Sequence, residues 1–307
     1  MKQWVLALGA SLATTALPSA AQVTAQLTTE QFGKMEIKTQ KVGDGLYVLF
    51  GNGGNIGVSV GADGVLIVDD GQFPQLMPKT LEAIRAVGGH RVDLAIDTHF
   101  HVDHADGNLV LGPTGTWFIA QANTREMLAK DRVVNVVVRP PTEYKPYPAS
   151  ALPVVTFTDR MQMHFNGDTL DLLHVGPAHT TGDAVVFFRD HNVVHTGDVF
   201  NNAGYPYIDT DNGGDLDGTI AFCEAILREI KPDTVVIPGH GPVGTYNDLK
   251  DHIAMLKGVR AKLAALVKSG ATLEQVIAAK PTAEWDARYG DNTRIVNRGY
   301  ASLTRKR

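Results

Sequence analysis

The chain has 307 residues and one cysteine, Cys223. With a single thiol no intramolecular disulfide can form, so stability must come from a buried core, which a 44% hydrophobic share is sufficient to build. Cys223 itself lies in "DGTIAFCEAILREI", whose apolar spacing predicts a helix, and reads as a small buried hydrophobe rather than a nucleophile. An excess of positive charge is also missing. The formal charge is -5 and the lysines and arginines are scattered, so nothing supplies the field that nucleic acid or an anionic membrane surface would require. Neither is expected as a partner. Short-period repeats and low-complexity tracts are absent, and no serine or cysteine is seen with a base positioned to activate it.

The start, "MKQWVLALGASLATTALPSAAQ", has the pattern of a secretory signal peptide. Its apolar stretch is too short and too rich in Ser and Thr for a membrane span, and Ser19 and Ala21 are the small pair that precedes a cut before Gln22. Residues 1-21 are thus expected to be removed, leaving 22-307 periplasmic or secreted with no stable membrane insertion.

Beyond a polar stretch after Gln22, the chain alternates between strand and helix patterns. "GLYVLFGNGGNIGVSVGADGVLIVDDG" predicts successive antiparallel strands, "PQLMPKTLEAIRAVGG" a helix, and "RVDLAIDTHF" a short strand. "TWFIAQ" and "ANTREMLAK" predict a strand and a helix, while the prolines of "VVVRPPTEYKPYPASALP" predict an irregular loop. The second half repeats the scheme with strands in "TLDLLHV", "AVVFFRD", "NVVHTGD" and "PDTVVIPGHGPVG", and a helical pattern runs from Asp248 onward as an outer layer. Two mixed halves with every polar cluster at a strand end predict an α/β sandwich whose site lies where the strand ends of both halves meet.

The densest cluster is "DTHFHVDHADGN", residues 97-108. His99 and His101 are two apart, so in extended chain their rings face the same way and can grip one ion, while Asp103 and His104 fall where the chain turns and can face a neighbouring point. One short motif cannot surround an ion, so distant ligands are needed. His179 in "GPAHTTGD", Asp198 in "HTGDVF" and His240 in "PGHG" are the candidates, each at the end of an expected strand. Five histidines and two aspartates exceed the needs of one catalytic zinc and suit a pair about 3.5 to 4 Å apart sharing a carboxylate and a hydroxide.

With these residues in order, the sequence resembles the metallo-β-lactamase superfamily of binuclear metallohydrolases. The motif His-x-His-x-Asp-His stands as His99-Phe100-His101-Val102-Asp103-His104, and the later family positions match His179, Asp198 and His240; Asp69 in "LIVDDG" matches an early acid. The resemblance implies an αββα sandwich formed by residues 22-307 as one domain with a helical C-terminal region. It implies a first metal site of His99, His101 and His179, a second of Asp103, His104 and His240, and Asp198 as the bridging acid. Lactamases of the first subclass have cysteine at the Asp198 position, whereas glyoxalase II and most other hydrolases of the superfamily have aspartate. Two zinc ions are the expected cofactor, with iron or manganese left open by ligands that are all nitrogen and oxygen.

The implied reaction is hydrolysis of a small-molecule carbonyl substrate by a metal-bridging hydroxide, with Asp103 as the catalytic residue that orients it and handles the proton. Cyclic amides or esters, β-lactams among them, are the expected substrates; thioesters or phosphoesters are the alternative, and a metal-binding protein without turnover is the reading from another class. No lysine or arginine directly follows Asp198 to clamp a substrate carboxylate, and Arg189 and Lys130 are not assignable from their place in the chain. Asp97 is expected either to accept a ring N-H from a ligand histidine or to cap its strand, Asp69 to orient a ligand, and His174 and His195 to be packing residues. Asn201, Asn202, Tyr205 and Tyr207 are expected near the cleft.

Overall fold

The computed structural model describes residues 29-305 apart from 52 and 72, so the expected signal peptide and its cleavage point lie outside the described residues. Helix α1 (Thr29–Lys34) leads into strands β1 (Lys38–Gly43), β2 (Leu46–Phe50), β3 (Ile56–Gly61) and β4 (Gly64–Val68). Helix α2 (Met77–Ala86) carries the chain to β5 (Leu94–Asp97), and the one-turn helices α3 (Val102–Ala105) and α4 (Asn108–Leu111) carry it to β6 (Trp117–Gln121). After α5 (Ala122–Leu128) come a small hairpin, β7 (Arg132–Val134) and β8 (Thr142–Tyr144), and then β9 (Val155–Phe157). The second half contains β10 (Arg160–Phe165), β11 (Asp168–Leu173), β12 (Val185–Phe188), β13 (Val193–His195), helix α6 (Leu216–Glu229), β14 (Val235–Ile237) and β15 (Gly244–Thr245). It ends in helices α7 (Tyr246–Lys268), α8 (Leu273–Ala278), α9 (Asp286–Tyr289) and α10 (Thr293–Thr304).

Strands β1 to β6 and β9 form one sheet in that order, and β10 to β15 form a second. The apolar runs explain the layers. In "GVLIV" and "VVFF" every residue after the first glycine is buried, which a strand achieves only when both faces of its sheet are covered. Leu66 and Val68 of β4 meet Val186 and Phe188 of β12 between the sheets. Their neighbours point the other way. Val65 and Ile67 pack outward with Met77 and Ile84 of α2, and Val185 and Phe187 pack outward with Phe222, Leu256 and Ile295 of α6, α7 and α10. The result is the expected αββα sandwich, with the C-terminal helices as an outer layer.

The segment read as an irregular loop is only partly so. β8 pairs antiparallel with β7, because Pro140, Pro141, Pro146 and Pro148 flank the strand rather than interrupt its hydrogen bonds. Two strand pairs are parallel where it matters: β4 beside β5, and β13 beside β14. Parallel neighbours bring their C-terminal ends to one edge, and all four ends open into the polar loops that carry the motif residues. Among the described residues no helix is long and apolar enough to cross a membrane.

Candidate metal centre

β5 ends at Asp97, and the chain then bends through Thr98 and His99 to His101, whose extended backbone precedes the single turn of α3. That turn swings Asp103 and His104 toward a second point, as the spacing predicts. His179 arrives from the loop between β11 and β12, Asp198 from the end of β13, and His240 from the end of β14. All seven expected residues meet. Their ligand atoms fall into three overlapping trios, each with its atoms within 4.8 Å of one another: His99, His101 and His179; His99, His104 and Asp198; Asp103, His104 and His240.

Hydrogen bonds on the far sides of the rings fix their tautomers. A carboxylate only accepts, so His101 donates from Nε2 to Asp209 Oδ2 at 2.9 Å, and His104 donates from Nδ1 to Asp69 Oδ2 at 2.8 Å. His179 donates from Nδ1 to the Tyr207 carbonyl at 2.6 Å. Thr98 Oγ1 gives its proton to Asp69 at 2.9 Å and so accepts from His99 Nδ1 at 3.0 Å. Each ring is left with one bare nitrogen facing inward. The inward nitrogens of His101 and His179 lie 2.8 Å apart, and His104 Nε2 lies 3.2 Å from His240 Nε2. Two lone pairs at such distances repel unless a proton or a metal ion lies between them, and roughly 3.4 Å is the separation of two nitrogens on one tetrahedral zinc. His99 Nε2 and Asp198 Oδ1 are buried without any hydrogen-bond partner. Asp198 faces both groups, with Oδ1 3.3 Å from His104 Nε2 and Oδ2 3.6 Å from His179 Nε2. The residues present therefore fit metal ions, by donor type, by bare orphaned atoms and by a carboxylate set between two nests.

The electrostatics agree. Burial opposes the charge of Asp198, but His240 and His104 beside it hold its carboxyl well below the ordinary range, and Asp103 is held low against the same penalty by His104 and His240. Burial and the three neighbouring rings keep His99 well below its usual value, which leaves its lone pair free to bind. Around His104 and His240 burial is outweighed by the acids: His104 is raised well above its usual value, and His240 is pushed up to about 10 by Asp198 and Asp103. The protein groups thus create a demand for positive charge there that a metal ion can meet by displacing protons.

Two glycines let the chain come this close. A Cβ on Gly54 would stand 2.3 Å from the His104 ring, and one on Gly239 would stand 1.9 Å from Asp198 Oδ1. Gly54 N donates to the Asp103 carbonyl at 2.7 Å within the first half, and Asn55 N donates to the Gly239 carbonyl at 2.7 Å, which ties the two halves across the site. Asp69 adopts φ 62°, a left-handed value that aspartate tolerates better than most residues, and its carboxylate receives the Thr98 amide, the Thr98 hydroxyl and His104.

Some expectations change. Asp97 does not receive a ligand histidine; it accepts from Asn108 Nδ2 at 2.9 Å, because its side chain points back under α4. Asp209, fully buried in the loop "YIDTDNGG", is the carboxylate that orients His101, and its place in a polar loop beside Asp211 gave no sign of that role. Asn201, Tyr205 and Tyr207 line the cleft, whereas Asn202 donates to the Pro242 carbonyl. His195 is a packing residue, bonded to the Asn55 carbonyl at 3.0 Å, and His174 bonds the Asp183 carbonyl. Arg189 and Lys130 are held by Asp171, Glu229 and Glu126, away from the centre.

The centre opens through Asp103 and His240, whose side chains are 29% and 25% exposed, into a cavity of about 600 Å³. Phe100, Val134, Tyr144, Tyr207 and Tyr289 wall it. A cavity of about 740 Å³ on the other side of Arg132 and Tyr144 contains none of the seven residues.

Comparison with known proteins gives the same picture. Three solved structures share the fold, each over 72% of this chain: the DIM-1 metallo-beta-lactamase (17% identity, 97% of that chain, TM-score 0.58), a metallo-beta-lactamase from Pontibacter korlensis (17%, 99%, 0.58) and VMB-1 (18%, 97%, 0.56). The sequence model of the metallo-beta-lactamase superfamily matches residues 49-240, a span that contains the seven residues from His99 to His240. The chain belongs to the metallo-β-lactamase superfamily.

Proposed function

We propose that the chain is an exported hydrolase that binds two zinc ions and cleaves carbonyl substrates, cyclic amides or esters in the first place. The observation that carries this reading is the convergence of bare ring nitrogens on two adjacent points with Asp198 between them. His99, His101 and His179 would hold one ion, Asp103, His104 and His240 the other, and Asp198 would serve both. Bound there, divalent metal supplies Lewis acidity and brings the pKa of water down toward about 7, so that a hydroxide nucleophile exists at neutral pH.

The chain's own residues do the rest. Asp209, Asp69 and Thr98 hold three of the rings at fixed angles, so the ligand atoms need no rearrangement when substrate enters. Asp103 stays ionised at the mouth of the centre, where its Oδ2 lies 3.2 Å from His240 Nε2. As water oxygen adds to the carbonyl carbon, Asp103 accepts the proton and returns it to the departing heteroatom as the carbon-heteroatom bond breaks. The aromatic walls shield the reacting bond from bulk water. Export is supported by the sequence of residues 1-21, and the release of a soluble mature chain by the small pair Ser19 and Ala21.

A panel of a β-lactam, a lactone, a thioester and a phosphodiester, run on zinc-loaded and chelated protein, tests the reading. Chelator-sensitive cleavage of the lactam or lactone is expected; turnover of the thioester or phosphodiester alone would replace the substrate class, and no chelator-sensitive turnover at all would overturn the enzyme. Asp103→Asn should keep most of its metal yet lose more than about 10²-fold in rate, because an amide cannot take the proton.

A further inference from the structure

Resting on the hydrolase reading, we infer that Arg139 and Arg294 form an anion subsite that selects substrates carrying a negatively charged group, such as a carboxylate, away from the reacting carbonyl. Both line the cavity over the metal centre, Arg139 from the turn between β7 and β8 and Arg294 from the first turn of α10. Neither forms an ion pair with an acid among the described residues. Four other arginines of this acidic chain are held: Arg91 by Asp93, Arg160 by Glu229, Arg260 by Asp217, Arg288 by Asp251. The acid on the same rim, Asp291, accepts at Oδ1 from the Thr293 amide at 3.0 Å and the Thr293 hydroxyl at 2.7 Å; these bonds and the nearby charge of Arg294 hold it low, but it forms no ion pair with that arginine.

A third cation lies deeper. Arg132 is 4% exposed, forms no ion pair among the described residues, and stacks among the rings of Phe100, Tyr144 and Tyr147 with its centre 5.9, 5.5 and 5.1 Å from theirs. Its Nε and Nη2 are buried without hydrogen-bond partners. With the floor acids Asp103 and Asp198 committed to the ions they would hold, Arg132, Arg139 and Arg294 outnumber Asp291 in the outer cavity, which then carries a net positive charge. Arg139 and Arg294 are exposed at the rim of the cavity, where a guanidinium can bind a carboxylate by two parallel hydrogen bonds. The aromatic walls next to them take the apolar body of the same molecule. Arg294 also stands beyond residues 49-240, so this contact comes from the part of the chain outside the family match. It answers the lack of a basic residue directly after Asp198.

The test uses matched esters, 4-carboxyphenyl phenylacetate and 4-carbamoylphenyl phenylacetate, each enzymatic kcat/KM divided by the ester's own hydroxide rate. The zinc-loaded protein should prefer the acid by about ten-fold or more, the scale of a charge-assisted hydrogen bond. Arg139→Ala and Arg294→Ala should each cut the acid-to-amide ratio several-fold, the double variant should bring it near one, and added salt should lower it in the wild type alone. Zinc content equal to wild type shows that the centre is intact. An unchanged ratio in the double variant, or no preference in the wild type, would overturn the subsite.

If neither ester is turned over, the hydrolase reading is judged separately, by the panel of a β-lactam, a lactone, a thioester and a phosphodiester. The subsite is then judged by calorimetric binding of 4-(phenylacetamido)benzoate against its carboxamide. Tighter binding of the acid that disappears in the double variant supports it; equal binding, or none of either, refutes it.

Discussion

Removing the carboxylate behind His101 should weaken one metal ion much more than the other. Asp209 is fully buried and touches the centre only through His101 Nε2, at 2.9 Å, while Asn212 Nδ2 donates to the same oxygen at 2.7 Å. Burial resists its charge, but His101 holds its carboxyl below the usual range, so the pair is a charge-assisted hydrogen bond. Asp209→Asn keeps the shape and an acceptor oxygen and loses the charge, exchanging a bond worth about 1.5 to 3 kcal/mol for one worth about 0.5 to 1.5. The difference, about 1 to 1.5 kcal/mol, is roughly a five- to twelve-fold loss of zinc affinity at the His99, His101, His179 site. Asp209→Ala also frees the ring to turn, and the loss should reach about 10- to 100-fold. Stepwise competition with a chelating indicator resolves the two ions. Affinities within two-fold of wild type for both ions in the alanine variant would refute the claim that Asp209 orients a ligand.

Stability should fall in acid for a reason unrelated to metal. His252 on α7 is fully buried beside Phe200, neither ring nitrogen has a partner, and burial with Arg288 nearby pushes it down to about 3. The unfolded chain takes up this proton below its ordinary 6.5 while the folded one does not, so stability is lost as pH falls from 6.5 to about 3. At pH 4.5 that is about 2.7 kcal/mol, and urea titration of metal-free His252→Leu should show a pH dependence smaller by about that amount. Parallel curves for the two proteins would exclude this histidine as a source of acid lability. Gly54→Ala drives a methyl into His104, so elemental analysis should find the second ion depleted with the first retained; full occupancy would show that the loop yields. Intact mass of the exported protein should correspond to a chain beginning at Gln22, and a retained Met1 would withdraw the export claim.

How far the fold and the centre are legible in the sequence depends on how many signals each residue sends. Val185 to Phe188 are legible because a strand buried on both faces is apolar throughout, and the motif from His99 to His104 because four donor residues crowd the end of such a strand. β1, an exposed edge strand of Lys38, Thr39, Gln40 and Lys41, has no apolar period to betray it, whereas β10, "RMQMHF", alternates polar and apolar residues and is legible as an edge strand. Only pairing with β2 makes β1 a strand. Asp209 is hidden for another reason. An acid in a polar loop is ordinarily solvated, and what makes it an orienting group is a contact 108 positions away in the chain. Arg294 is hidden likewise, since a basic residue on a surface helix gives no hint that the helix borders a cavity formed by distant loops.

Diffraction at the zinc absorption edge, on protein purified without chelator, tests the central claim most directly. Two anomalous peaks about 3.5 to 4 Å apart are expected. One should be bound by His99, His101 and His179, the other by Asp103, His104 and His240, with Asp198 reaching both. A single peak in this cluster, or ions held by other residues, would contradict it.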